Sequence, residues 1–506
     1  MNESEHLKSA NLGGGDNPKG KQLTVKTPKV ATRALWIMGI SIIVVLYVHT
    51  SLAPALVQMA EDFDKDLGTI SWVLTVYLIS GAAVTIVIGR LADTYGPKKM
   101  LLLVFLCYTV GTIFAGFATE FYTLIIFRII QGVAVALVPV SVRIARDLFP
   151  PEKFPFAQGV ILSMYQGGSA VGLVAGAAVV YFAGWQGVFF SAIPISLILL
   201  FLLWKFIPKI QESKDKNASD SAPKRHGAVI DIPGVITLVL TTSTFMLCFT
   251  FLAEGKEGVA LFWTFLVIGV ASMAAFFFIE KRSQNPLINL KLAFHKIIRV
   301  GNISYLMLGV IQYIIFSTIP TLGQTPEPYG LGMNTLQVGL LQLPQAVLFV
   351  VLGPIAGILA VRYGSSKFIV AGSIILLIGI LALLSFHSTS VQVASMLVLF
   401  AVGGAFVTLS ANIIIWFTPP GATGVVSATY STMRIIGGAI GPIISGMFLS
   451  LFTSEVQSPE GVTSSVPNTM AFNAIFLVGA IVSLSLVAFM IIMKRRAYKM
   501  GMPTNK

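Results

Sequence analysis

Charge is what this chain of 506 residues has least of: Asp, Glu, Lys and Arg together make up 11% of it. A soluble protein of that size could not cover its surface with so few charges. Acid is scarcer than base, 21 residues against 34, and all 21 fall in expected loops, tails or helix ends. Asp231, Glu254 and Glu280 are terminal and Glu327 lies in a loop, so no carboxylate is expected at mid-membrane depth. Cysteine is nearly absent. Cys107 and Cys248 both sit within apolar runs and read as buried packing thiols, with no disulfide framework and no metal-ligand cluster. There is no glycine-rich phosphate loop and no Ser/His/Asp constellation, which speaks against an enzyme and against an ATP-driven pump; no cofactor is expected. A sensor would need a soluble signalling domain, and the largest soluble segment is the N-terminal tail.

What the chain has instead is apolar length. Hydrophobic residues make up 55% of it, gathered into fourteen runs between about Ala34 and about Met493. Each is long enough to span a bilayer, which takes about 20 residues. Backbone groups in lipid must be satisfied internally, and the runs do not alternate as barrel strands do, so the spans read as helices. The expected fold is an all-α polytopic membrane protein. The net charge of +13 would suit a nucleic-acid binder, but its placement argues otherwise. Apart from Lys65, Lys256, Arg128 and Arg434, every Lys and Arg falls in the tails and alternate loops of one side. That side is expected to be the cytoplasm, where both termini then lie, with the excess facing anionic lipid head groups and not nucleic acid.

Residues 1–33 read as a disordered cytoplasmic tail, with an N-terminal six-helix bundle over 34–208. The stretch 209–298 reads as a linker, two inserted helices and an amphipathic segment, in which Asn285-Pro286-Leu287-Ile288-Asn289-Leu290 is expected on the membrane surface. A C-terminal six-helix bundle follows over 299–493, then a cytoplasmic tail over 494–506. The Ser/Pro-rich loop 453–470 is expected to be mobile. The two bundles repeat one another. Gly89-Arg90-Leu91-Ala92-Asp93-Thr94-Tyr95-Gly96-Pro97-Lys98-Lys99 matches Gly357–Lys367 at six of eleven positions, 268 residues on. Gly168, Gly172 and Gly176 of the fifth span correspond to Gly437, Gly441-Pro442 and Ser445 of the thirteenth. Parallel repeats of six helices are a transporter plan, with the site at their interface.

The Gly89–Lys99 loop resembles the cytoplasmic signature loop of the major facilitator superfamily. Phe127-Arg128-Ile129-Ile130-Gln131-Gly132 and the fifth-span glycines resemble motifs of that family's fourteen-helix drug:proton antiporter branch, the multidrug-resistance-type exporters. Here Gly172-Leu173 stands where the branch has Gly-Pro, and Val361 in the second loop stands where the first has Asp93. The resemblance implies two six-helix bundles plus two inserted helices, and a loop that latches the outward-open state. In that loop Gly89 permits close approach to a neighbouring helix, Asp93 meets a helix N-terminus or a basic residue, Gly96 turns the chain, and Arg90 joins them in switching. Arg128, a charge inside the membrane, is assigned to coupling or switching.

Many relatives in this branch carry a carboxylate in the first span, at the position of Val45. The nearest titratable substitute is His49, a candidate for proton coupling or substrate contact. The missing carboxylate shifts weight toward neutral or anionic substrates. A central cavity is expected between spans 1, 4, 5, 9, 12 and 13, with 2 and 10 at its flanks. Its polar and aromatic candidates are Trp72, Gln131, Tyr165, Gln166, Asn302, Tyr305, Gln312, Gln345, Asn412 and Tyr430. Gly168, Gly172, Gly176, Gly437, Gly441 and Pro442 are assigned to helix packing. The expected activity is export of hydrophobic or amphipathic small molecules across the cytoplasmic membrane by proton antiport. The alternative is a proton-independent facilitator or importer of a neutral or anionic metabolite. The partners expected are a small-molecule substrate, protons and membrane lipids, with the protein acting as a monomer.

Overall fold

The computed structural model describes residues 29–65, 67–208, 231–253, 258–283, 286–288, 290–457 and 463–500. Twelve of its helices are long and apolar enough to cross a membrane. The longest, Phe154–Phe206, runs for 53 residues but is broken at Gly184, whose φ of 68° and ψ of 178° suit glycine alone, so it makes two spans. With the 22-residue apolar helix Ile232–Ala253 the total is fourteen. They are α1 (Lys29–Ser51), α2 (Leu67–Tyr95), α3 (Pro97–Gly116), α4 (Phe121–Leu148), α5 (154–183), α6 (185–206) and α7 (Ile232–Ala253). The rest are α8 (Val259–Arg282), α9 (Lys296–Gln324), α10 (Thr335–Tyr363), α11 (Ser365–Ser385), α12 (Ser390–Trp416), α13 (Thr423–Leu451) and α14 (Thr469–Lys499). A 3₁₀ turn over Val133–Ala136 interrupts α4.

Local chemistry sets several helix starts. Pro97 opens α3 directly after Gly96, whose φ of 99° turns the chain out of α2. Asn334 opens α10 with a reciprocal pair: its Oδ1 accepts from Gln337 N, and Gln337 Oε1 accepts from Asn334 N, both at 2.9 Å. After the Gly184 break, Trp185 is buried and donates from Nε1 to Asp62 Oδ2 at 2.8 Å, which ties α6 to the short helix Leu56–Asp62 between α1 and α2.

The helices pack as two groups of six. In the first, α5 lies along α1, α4 against α2, and α3 against α4 and α6. In the second, α9 packs on α13 and α14, α11 on α12 and α14, and α10 on α12. The α1–α5 and α9–α13 pairs show the sequence repeat as structure. A Cβ on Gly168 would stand 2.9 Å from Ile43 Cα, and one on Gly172 2.9 Å from Tyr47 Cα. In the second group a Cβ on Gly437 would stand 3.0 Å from Val310 N, and one on Gly441 2.8 Å from Ile314 N. Backbones this close leave room for hydrogen only, as small-residue faces in membranes do. Gly176 meets Ser51 in the same way, while Pro442 points outward within α13.

Two seams join the groups, α2 with α13 and α5 with α10. The inserted helices α7 and α8 pack on each other, and α7 also lies against α2 and α13. Leu238 of α7, Phe276 of α8 and Leu287 form a buried cluster with Ile86 of α2 and Ala428 of α13. The inserted pair therefore covers a seam between the two groups.

Four expectations change. Leu287 is not at the surface but buried in that cluster, because its neighbours α2, α7, α8 and α13 bury it more completely than an interface would; Asn285 and Asn289 lie outside the described residues. The loop after α13 contains an antiparallel hairpin, Thr453–Gln457 with Thr463–Pro467, since β-branched and Ser residues there pair their backbones. Cys107 is only half-buried, whereas Cys248 is buried. The first and last helices run past the expected bundle limits, to Lys29 and Lys499. Residues 1–28 and 501–506 lie outside the described residues, as do 209–230.

Candidate functional site

The deepest charge in the first group is Arg128, fully buried on α4. Its Nε donates to Val73 O at 2.9 Å, its Nη1 to Gln131 Oε1 at 2.8 Å, and its Nη2 lies 3.0 Å from His49 Nδ1. Arginine has no acceptor, so His49 Nδ1 accepts and that ring carries its proton on Nε2. The guanidinium also lies 4.7 Å from the centre of the Tyr77 ring, on which His49 stacks at 4.2 Å. Gln131 passes the network on, donating to Thr112 Oγ1 at 2.9 Å. A guanidinium at mid-span costs about 2.5–3.5 kcal/mol on insertion scales. Three bonds to a charged donor, each about 1.5–3 kcal/mol, together with the ring face, offset that cost without a carboxylate. The cluster thus spans α1, α2, α3 and α4 around one cation.

The second group holds a counterpart. Arg434 on α13 is buried, donates from Nη2 to Gln312 Oε1 on α9, and lies 4.9 Å from the centre of the Tyr165 ring on α5. Tyr305 of α9 packs on Tyr430 of α13 at 4.7 Å. The Tyr305 hydroxyl donates to Thr408 O at 3.0 Å, while Tyr430 accepts from Gln158 Nε2 at 3.2 Å.

Between these clusters lie two adjoining cavities that share Val135, Val138 and Tyr165. One runs along His49 and Tyr77, with Ile42, Val45 and Leu137 as apolar wall. The other runs along Tyr305, Ser431 and Arg434, with Leu162 and Ile435. The combined space sits where the two groups face each other. Its walls are apolar and aromatic apart from His49, Ser431 and Arg434, with Arg128 behind them and no carboxylate.

Polar contacts hold the α2–α13 seam. Gly89 of α2 lies so close to α13 that a Cβ would stand 2.6 Å from Gly424 O. Asp93 then reaches the start of α13, where Oδ1 accepts from Gly424 N and Oδ2 from Val425 N, both at 3.0 Å. Arg143 of α4 donates from Nε to Asp93 Oδ1 at 2.9 Å and also pairs with Asp147. Arg146 crosses the seam as well, donating from Nη2 to Thr418 O at 2.7 Å and from Nη1 to Thr423 Oγ1. Arg90 is half-buried at the same turn, and Lys98 caps the end of α6 by donating to Trp204 O at 2.9 Å. At the second seam Gly357 packs on α5, where its Cβ would stand 2.7 Å from Phe156 Cα. Val361 offers no such anchor there.

Of the residues expected at the cavity, His49, Tyr165 and Tyr305 line it. Tyr430 stands directly behind Tyr305, and Gln131 and Gln312 stand behind the cavity as partners of the two arginines. Trp72 turns away, packing on Phe251 of inserted α7 at 5.8 Å. Gln166 is buried beside Gly404 of α12, and Asn412 donates weakly to Ser365 at 3.4 Å. Gln345 is buried with no side-chain partner among the described residues, and Asn302 is half-buried with its Oδ1 equally unpartnered. None of these five lines the cavity, whose walls come from α1, α2, α4, α5, α9 and α13 and include no residue of α10 or α12. Sequence reasoning missed Tyr77, Arg143 and Arg146, and did not place Arg434 at the cavity. A tyrosine in a span and an arginine at a helix end carry no distinctive sequence signal. Arg434, an arginine inside a span, did carry one.

A family model described as Major Facilitator Superfamily matches residues 38–300 and 301–503. Among curated proteins the chain is similar to the multidrug efflux pump LfrA of Mycolicibacterium smegmatis, 28% identical over 88% of this chain and 86% of that one. It is similar also to the quinolone resistance protein NorB of Staphylococcus aureus, 27% identical over 81% and 87%. A third relative is the riboflavin transporter RibZ of Clostridioides difficile, 25% identical over 80% and 86%. Among solved structures, that of the human organic anion transporter MFSD10 (TETRAN) superposes with a TM-score of 0.64 at 14% identity, covering 91% of this chain and 99% of the other. At that identity the likeness is one of fold.

Proposed function

The chain belongs to the Major Facilitator Superfamily, and we propose that it exports hydrophobic or amphipathic small molecules across the cytoplasmic membrane in exchange for protons. The observation that carries this reading is an apolar, aromatic-walled cavity between two repeated helix groups, with contacts across one end of the seam. Relatives named for multidrug efflux, quinolone resistance and riboflavin transport support a substrate that is small and largely aromatic. In this reading both termini and the Asp93 latch face the cytoplasm, and the protein works as a monomer. Asp93 and Arg146 hold the cytoplasmic end shut while the cavity faces out. Rocking the groups breaks those bonds and turns the cavity inward. His49 is the proton carrier: in the present arrangement Arg128 occupies its Nδ1, so a second proton enters only as that pair separates. Proton binding is thereby tied to the conformational change. A proton-independent facilitator is the second reading, favoured by the absence of a carboxylate from the cavity wall.

Everted membrane vesicles with an acidified interior test the choice. A panel of lipophilic cations, neutral drugs and amphipathic acids is added while the pH gradient is followed. Antiport predicts collapse of the gradient by particular compounds and loss of that collapse in His49→Ala or Arg128→Ala. If no compound acts while radiolabelled counterflow proceeds, the protein is a facilitator and the proton arm is wrong.

A further inference from the structure

Two arginines lie within the spans near the cavity, and their donors are used very differently. Arg128 is fully buried, with Nε, Nη1 and Nη2 all engaged. Arg434 is 4% exposed, and its Nη2 donates to Gln312, but its buried Nε meets no acceptor among the described residues. The only side-chain ion pairs among the described residues are those of Arg143 with Asp93 and Asp147, so no carboxylate neutralises Arg434. A guanidinium has five N–H donors, and leaving a buried cation unmatched is costly. This group lines the cavity itself. Beside it stand the ring of Tyr165, which it overlies at 4.9 Å, the ring of Tyr305, and the apolar side chains Leu162 and Ile435. The Tyr305 hydroxyl is already committed to Thr408 O, so Tyr305 offers its face and not its donor.

We propose that Arg434 is an anion-binding subsite, taking the carboxylate of an aromatic amphiphile whose ring system lies against Tyr165 and Tyr305. The planar fork suits a carboxylate in a way that a point charge does not. The apolar and aromatic walls suit a flat hydrophobic body and give a small hydrated anion nothing to replace its water. A lipophilic cation would face two guanidinium groups across a low-dielectric space. The assignment rests on the export reading for its biological use, though the binding chemistry stands apart from it.

The test uses the full-length protein in lipid nanodiscs, with 2-naphthoate and its methyl ester as probes and equilibrium binding as the readout. The acid should bind at least about tenfold more tightly than the ester, as expected of a charge-assisted contact. Arg434→Gln should abolish that preference while leaving ester affinity within about twofold, and Arg434→Lys should keep part of it. Thermal unfolding of each variant establishes that it is folded, and the Lys variant decides the matter if the Gln variant is not. Acid preference surviving in Arg434→Gln, or equal loss for acid and ester, overturns the subsite. Acetate in hundredfold excess should leave naphthoate bound; displacement by acetate overturns its aromatic half. Gradient-driven uptake of both probes into everted vesicles is scored separately. Acid-selective binding without export sinks the export reading alone, and export without acid preference sinks this inference alone.

Discussion

Asp93→Asn should unlatch the basic end of the molecule, and the size of the effect follows from three contacts. Asp93 holds two backbone N–H groups at the start of α13, one with each oxygen, and also receives the Nε of Arg143. Asparagine keeps one acceptor oxygen. Its amide nitrogen must then face either Val425 N or the Gly424–Arg143 pair, donor against donor. One charge-assisted bond is lost, worth about 1.5–3 kcal/mol, along with about 0.3–1 kcal/mol of attraction between the carboxylate and the helix N-terminus. When the seam opens, those N–H groups meet water, so the cost falls on the closed state alone. A change of about 2–4 kcal/mol alters the closed-to-open ratio by roughly 30- to 700-fold. Spin labels at Glu152 and Arg362 report it. Both residues are exposed, on opposite sides of the α5–α10 seam, and a background lacking Cys107 and Cys248 permits specific labelling. Pulsed electron resonance should show a longer-distance population rising in Asp93→Asn. An unchanged distance distribution in a folded, inserted variant would refute the latch argument.

Further outcomes follow from the same geometry. Arg128→Lys should not restore what Arg128→Gln loses, because a single ammonium cannot reach Val73 O, Gln131 and His49 together; drug export from intact cells should fall at least about tenfold in both, at normal membrane levels. Gly172→Leu should separate α1 from α5 and lower the melting temperature of the purified protein, since overpacking costs about 1–3 kcal/mol even where side chains can yield, and here the neighbour is Tyr47 backbone. Gly184→Ala should destabilise by about 1–3 kcal/mol through backbone strain alone, read as a shift in melting temperature with substrate affinity unchanged.

Much of this protein was legible before any helix was placed. Fourteen spans follow from apolar length, because lipid leaves the backbone only the helix or the closed barrel and these runs do not alternate as barrel strands do. The repeat, the α1–α5 and α9–α13 glycine faces and the signature loop are local patterns of residue type, and such patterns survive translation into contacts. Arg128 announced itself as a charge in an apolar run. What only the tertiary structure decided is which way side chains turn and what meets them from distant elements. Trp72 was expected at the cavity but rotates onto an inserted helix, and Leu287 was expected at a surface but fills a gap between four helices. Asp93 meets Gly424 and Val425, more than 330 positions along the chain, and Arg434 meets Tyr165 from the other helix group. No local period encodes those meetings. They arise from the rotation of each helix about its axis, which is set by the packing of its neighbours, and that rotation places Arg434 with unspent donors on the cavity wall.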